Sequence, residues 1–130
     1  MHKGLLITAA IMGALAVLIG AFGAHGLKAY ATPQMLNTYE TAVRYQFYHV
    51  FALALSGILY KEYPVKGILT AGRLFIAGVF IFSGSLYTMI LLGIAGYDQF
   101  NWIGAITPIG GVLFVLGWFI LAFNIKGYKP

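Results

Sequence analysis

The stretch Gly4–Phe22, GLLITAAIMGALAVLIGAF, carries no charge and one hydroxyl, that of Thr8. One hydrocarbon crossing takes about 20 such residues, so this segment is predicted to be a membrane span. Its small residues Ala9, Gly13, Ala16 and Gly20, with Gly23 just beyond, recur at spacings of 4-3-4-3. They set one smooth seam along the helix for close packing. The preceding His2-Lys3 and the small residues around Ala21 and Gly23 resemble a signal peptide. The segment is nevertheless expected to be retained as a span.

The rest of the chain has the same character. Of its 130 residues 61% are apolar and 8% charged, against about 45–50% and about 25% in soluble domains. A water-soluble globule is excluded. The absence of cysteine removes disulfides, thiolate nucleophiles and thiolate or iron–sulfur metal sites. Eight Lys and Arg against three acids give a net charge of +5. They form no run or stripe, so interfacial anchoring is the reading and no nucleic-acid partner is expected.

Beyond Phe22 the chain turns polar until Arg44, and Thr32-Pro33 pairs a hydroxyl N-cap with proline at the first helical position. A short amphipathic helix is predicted there, running without a break signal into a second apolar run, 45–60. One helix and two helices at an angle both fit this pattern. After the loop 61–66, a third run spans 67–93. Thr107-Pro108 then repeats the cap-and-proline start before a fourth run, 108–124. The expected fold is all-α: an integral membrane bundle of four transmembrane helices in one domain, 1–130, with the amphipathic helix on the outer side. Four crossings place Lys3, Lys61, Lys66, Arg73, Lys126 and Lys129 on one side, and Lys28 and Arg44 on the other. The positive-inside rule makes the richer side, with both termini, cytoplasmic in a cell-membrane protein.

Topology predicts depth. Ser83 lies about 24 Å and Tyr87 about 30 Å above the start of the third run, in the outer half. His25, Gln46, His49 and Thr107 are assigned to the same layer, and the inner half is nearly free of polar groups. At 100° per residue, Thr38, Ala42, Gln46, His49, Leu53 and Ser56 share an arc of about 80° that should face the bundle. Glu40 and Arg44 fall opposite, where an ion pair can snorkel. Polar side chains in hydrocarbon need partners, so Gln46, His49, Ser83 and Tyr87 are expected to be linked by hydrogen bonds or water.

Each residue also has a plainer role: helix-end hydrogen bonds for His25 and His49, bonds to the carbonyl one turn back for Ser83 and Ser85, and a belt anchor for Tyr87. A zinc site is not expected, because there is no cysteine and Glu40 points away from the histidines.

The strings GAFGAHGL (20–27), YQFYH (45–49), FSGSLY (82–87) and ITPIGGVLFVLGW (106–118) together resemble the YgdD and YwdK-like family of small bacterial membrane proteins, which has a eukaryotic transmembrane relative. The resemblance covers essentially the whole chain. It implies an integral membrane protein of several helices and carries over no activity, substrate or cofactor. The polar residues on the matching positions are His25, Gln46, His49, Ser83, Ser85, Tyr87 and Thr107.

Three functions compete. In the first, the chain is a binding or structural module whose outer-leaflet polar pocket, formed by His25, Gln46, His49, Ser83, Tyr87 and Thr107, holds a lipid headgroup, a small amphiphilic ligand or a partner helix such as a second copy. In the second, His25 or His49 is the general acid or base of an enzyme on a lipid-linked substrate. No carboxylate is placed to orient either histidine, and neither HExxH nor GxSxG occurs. A small transporter or channel is the third, weakened by the lack of acidic residues within the spans.

Overall fold

The computed structural model describes residues 1–130 as four helices: α1 (Lys3–His25), α2 (Pro33–Leu59), α3 (Lys66–Ile94) and α4 (Thr107–Gly127), with a 3-10 segment, Asp98–Ala105, before α4. The helices run alternately up and down, each packed on the next in chain order. The Thr32 hydroxyl caps α2 by accepting from the Met35 N–H at 3.2 Å, with Pro33 in the first turn. The His2 amide donates to the Gly57 carbonyl at 2.8 Å, and the rings of Tyr63 and Tyr128 meet at 5.3 Å. Both termini and the α2–α3 turn therefore share one end of the bundle. The α1–α2 turn and the 3-10 segment form the other.

One expectation is corrected here and one open choice is resolved. Only three segments are long and apolar enough to cross a membrane, Lys3–His25, Lys66–Ile94 and Asp98–Gly127, so the fold is a four-helix bundle with three such segments and not four transmembrane helices. The odd one out is α2, which carries Asn37, Glu40, Arg44, Gln46 and His49. Its Ala42, Val50, Ala52 and Leu53 are buried in the bundle, while Tyr48, Phe51 and Ile58 are more than half exposed. Of the two arrangements open for the amphipathic stretch and the second apolar run, one helix is found: Pro33–Leu59 is continuous, and its amphipathic part is the first half of α2. Between Pro33 and Gly57 the chain has neither proline nor glycine. The change from polar to apolar near residue 45 alters the helix's surroundings without interrupting its hydrogen bonds.

Close approach is built on glycine. On α1, Gly13 faces Val50, Gly20 faces Val43, and Gly23 lies under the Tyr39 ring. The α3–α4 contact is reciprocal: the Phe114 ring lies on Gly78 and the Phe75 ring on Gly117. Gly110 brings its backbone against the backbone of Phe82. Phe75, Leu53 and Ile68 fill the centre and are fully buried. The inward arc of α2 is buried through Ala42, Gln46, His49, Leu53 and Ser56.

Candidate functional site

His49 sits where α2 faces α4. Its Nδ1 lies 2.8 Å from the Tyr45 carbonyl, one turn back, and its Nε2 lies 3.2 Å from the indole Nε1 of Trp118. A carbonyl only accepts and an indole N–H only donates, so Nδ1 carries the proton and Nε2 is the acceptor. The ring is thereby held neutral in one tautomer with both nitrogens engaged. Phe114 stacks on it, with centroids 3.4 Å apart and planes 7° from parallel.

Gln46 lies one turn before His49, rotated toward α1 and α3. Its amide nitrogen donates to the Met12 carbonyl at 3.0 Å, and its oxygen accepts from the Tyr87 hydroxyl at 2.8 Å. One amide thus ties three helices. Ser83 donates across to the Ala42 carbonyl at 2.7 Å. Ser85, two residues on and facing the other way, pairs with Thr107 at 2.6 Å and donates to the Phe82 carbonyl at 2.9 Å. Thr107 was expected to cap α4. Its hydroxyl instead binds Ser85, and no side chain caps that helix.

The six residues therefore do not share one pocket. Gln46 and Tyr87 are bonded to each other, and Thr107 joins Ser85. Ser83 and His49 have separate partners, and His25 is exposed at the last residue of α1, bonded to none of the others. Arg44 donates to Thr41 at 3.1 Å, the hydroxyl on its own helix face. No buried side-chain nitrogen or oxygen is left without a partner. In a hydrocarbon setting an unpaired group of this kind costs several kcal/mol, so the network binds the helices together.

Two grooves open onto this network. The larger, about 620 Å³, runs between α2 and α4 along Tyr45, Phe82, Gly111, Phe114, Val115 and Trp118, with His49 at its floor. A methyl group at Gly111 would meet nothing closer than the Phe82 ring, at 3.9 Å. The smaller, about 220 Å³, lies between α1 and α3 over Gln46 and Tyr87, walled by Met12, Leu15, Val79 and Gly84. No three His, Asp or Glu side chains come together in a way that could hold a metal ion.

A family model described as "Protein of unknown function (DUF423)" matches residues 19–111. The chain is 39% identical over 127 residues to the UPF0382 membrane protein YwdK of Bacillus subtilis, covering 97% of this chain and 98% of that one. It is 41% identical over 119 residues to a UPF0382 membrane protein of Staphylococcus aureus, at 92% of both chains. With one from Staphylococcus saprophyticus it shares 41% over 122 residues, at 94% and 96%. The chain belongs to the UPF0382 (DUF423) family of small membrane proteins. No solved structure matches it.

All six sequence-derived site residues of this UPF0382 protein fall inside the matched segment, whereas Trp118 lies beyond it. Sequence reasoning missed three contributors. Trp118 completes the bonding of His49. Tyr39, almost fully buried, donates its hydroxyl to the Ile19 carbonyl at 2.8 Å. His2 caps α1, its Nδ1 accepting from the Leu5 N–H at 3.2 Å. The only hint at Tyr39 is its register, since it lies seven residues before Gln46 on the inward side of α2.

Proposed function

We propose that this UPF0382 protein is a small binding module of the cell membrane. Its working surface is the groove between α2 and α4, and its ligand is an amphiphile with a single apolar tail. The groove itself carries the reading: about 620 Å³, open to the side, walled by Phe82, Phe114, Val115 and Trp118 and floored by His49. That size and lining suit a small organic ligand, for which pockets of about 300–1,000 Å³ are usual. Val112 and Val115 on its rim are more than half exposed. In a membrane they look onto acyl chains, so a ligand enters sideways from the bilayer.

The engagement of both His49 nitrogens favours binding over acid–base catalysis. A general base needs a free lone pair, and Trp118 occupies the one that His49 has. In this reading His49 shapes the floor, while Gln46, Ser83, Tyr87 and Thr107 hold the walls from behind. The end bearing both termini faces the cytoplasm, supported by the six basic residues that collect there. The groove, nearer the opposite end, then opens to the outer leaflet.

The test is mass spectrometry of protein extracted from its own membranes with mild detergent, comparing the wild type with Gly111→Leu. A Cβ at this position meets nothing closer than the Phe82 ring at 3.9 Å, and the leucine side chain is placed to fill the groove. A discrete amphiphile on the wild type that the variant lacks is the expected result. The same adducts on both proteins would refute the groove as the binding surface.

A further inference from the structure

The net charge of this protein is confined to one end. Lys3, Lys61, Lys66, Arg73, Lys126 and Lys129 come from four separate segments, and the fold gathers them where His2 meets Gly57 and Tyr63 meets Tyr128. Glu62 is the one acid at that end. At the opposite end Lys28 and Arg44 are matched by Glu40 and Asp98. All six cations of the charged end are exposed.

Lys126 lies in the last turn of α4, where the helix dipole favours a cation, but helix stabilisation does not account for Lys3 or Lys66. Lys3 and Lys66 are the first residues of α1 and α3, and neither first turn contains an acid. A cation there opposes the helix dipole, at a cost of about 0.3–1 kcal/mol each. Six exposed cations and one acid leave this end with a net charge that no acid of the chain offsets. Around them Tyr60, Tyr63 and Tyr128 are half-buried, the arrangement of aromatic side chains at headgroup depth.

We propose that this end is a docking surface for phospholipids of net negative charge, with the lysines meeting the phosphates and the tyrosines seated among the glycerol groups. Zwitterionic lipid offers no net counter-charge to an end carrying six cations and one acid. The inference does not rest on the groove between α2 and α4, which opens nearer the other end.

The test is native mass spectrometry of the purified full chain in neutral detergent, offered equal amounts of phosphatidylglycerol and phosphatidylcholine with identical acyl chains. The wild type should retain the anionic lipid about fivefold or more over the zwitterionic one, the scale set by a few lysines at a charged lipid surface. That preference should fall toward unity at high salt. It should also fall in the triple variant Lys61→Gln, Lys126→Gln, Lys129→Gln, and persist in Lys28→Gln with Arg44→Gln. Should the triple variant fail to fold, the salt series on the wild type decides. Equal retention of both lipids by the wild type at low salt, or equal loss in the Lys28 and Arg44 variant, would overturn the proposal. Gly111→Leu should leave the preference unchanged, which separates this outcome from failure of the groove.

Discussion

The indole of Trp118 donates to His49 Nε2 at 3.2 Å across 69 residues of sequence, and this bond fixes the chemistry available to the imidazole. With the Tyr45 carbonyl on the other nitrogen, His49 is a connector between α2 and α4. Its removal leaves the Trp118 N–H without its acceptor. His49→Ala should lower stability in detergent by roughly 1–3 kcal/mol, because His49 itself is buried and its loss removes the Phe114 stacking and leaves the Trp118 N–H unpaired. In a double-mutant cycle with Trp118→Phe the two losses should be less than additive, because both changes break one bond. Strict additivity by chemical denaturation would show that the pair is not coupled.

Gln46 makes a sharper case, since its amide joins Met12 on α1 to Tyr87 on α3. Tyr87→Phe removes one donor and should cost about 1 kcal/mol. Gln46→Leu breaks both links and leaves the half-buried Tyr87 hydroxyl without its acceptor, so its melting temperature should fall further than that of Tyr87→Phe. The reverse order would place the Tyr87 hydroxyl in contact with something other than Gln46.

Glycine positions differ in what a side chain would meet. At Gly23 a Cβ collides with the Tyr39 ring, and at Gly110 with the Phe82 backbone. Gly23→Leu and Gly110→Leu should therefore be the most damaging, by a few kcal/mol or loss of folding. Gly13→Leu and Gly20→Leu press on Val50 and Val43 from 3.4 and 3.3 Å and should be intermediate. Val17 is 59% exposed, and Val17→Leu should be silent in the same thermal-melting series.

Orientation is open to direct labelling because the chain has no cysteine of its own. A cysteine replacing Asn101, in the 3-10 segment, should react with a membrane-impermeant thiol reagent in intact cells. Cysteines replacing Lys61 or Lys129 should react only after the cells are opened. Labelling of Lys61→Cys in intact cells would reverse the assignment.

Much of the fold was legible because membrane helices declare themselves locally. The run Gly4–Phe22, the Thr32-Pro33 start and the long run after Gly67 are readable from hydrophobicity and capping alone, and they correspond to α1, the beginning of α2 and α3. The role of α2 was not. Its inner end is as apolar as a span, and the polar residues that distinguish it show their purpose only when α1 and α3 are seen packed against it. Polar partners were less accessible still. Rotation placed Gln46 and His49 on an inward arc, yet one turn of helix aims them at different neighbours, which separates the Tyr87 bond from the Trp118 bond. Nothing local in the sequence joins His49 to Trp118, or Ser85 to Thr107. Those pairings follow from how α4 lies against the rest, a tertiary property set by the Phe75, Gly78, Phe114 and Gly117 contacts.

The groove between α2 and α4 can be interrogated with a photoreactive benzophenone side chain introduced at Val115, on its wall, and at Val17, on the exposed face of α1. After irradiation in native membranes, mass spectrometry identifies what each position has captured. A discrete amphiphilic species at Val115, with the bulk phospholipid mixture at Val17, is the result expected of a binding groove. Bulk phospholipid in the same proportions at both positions would contradict it.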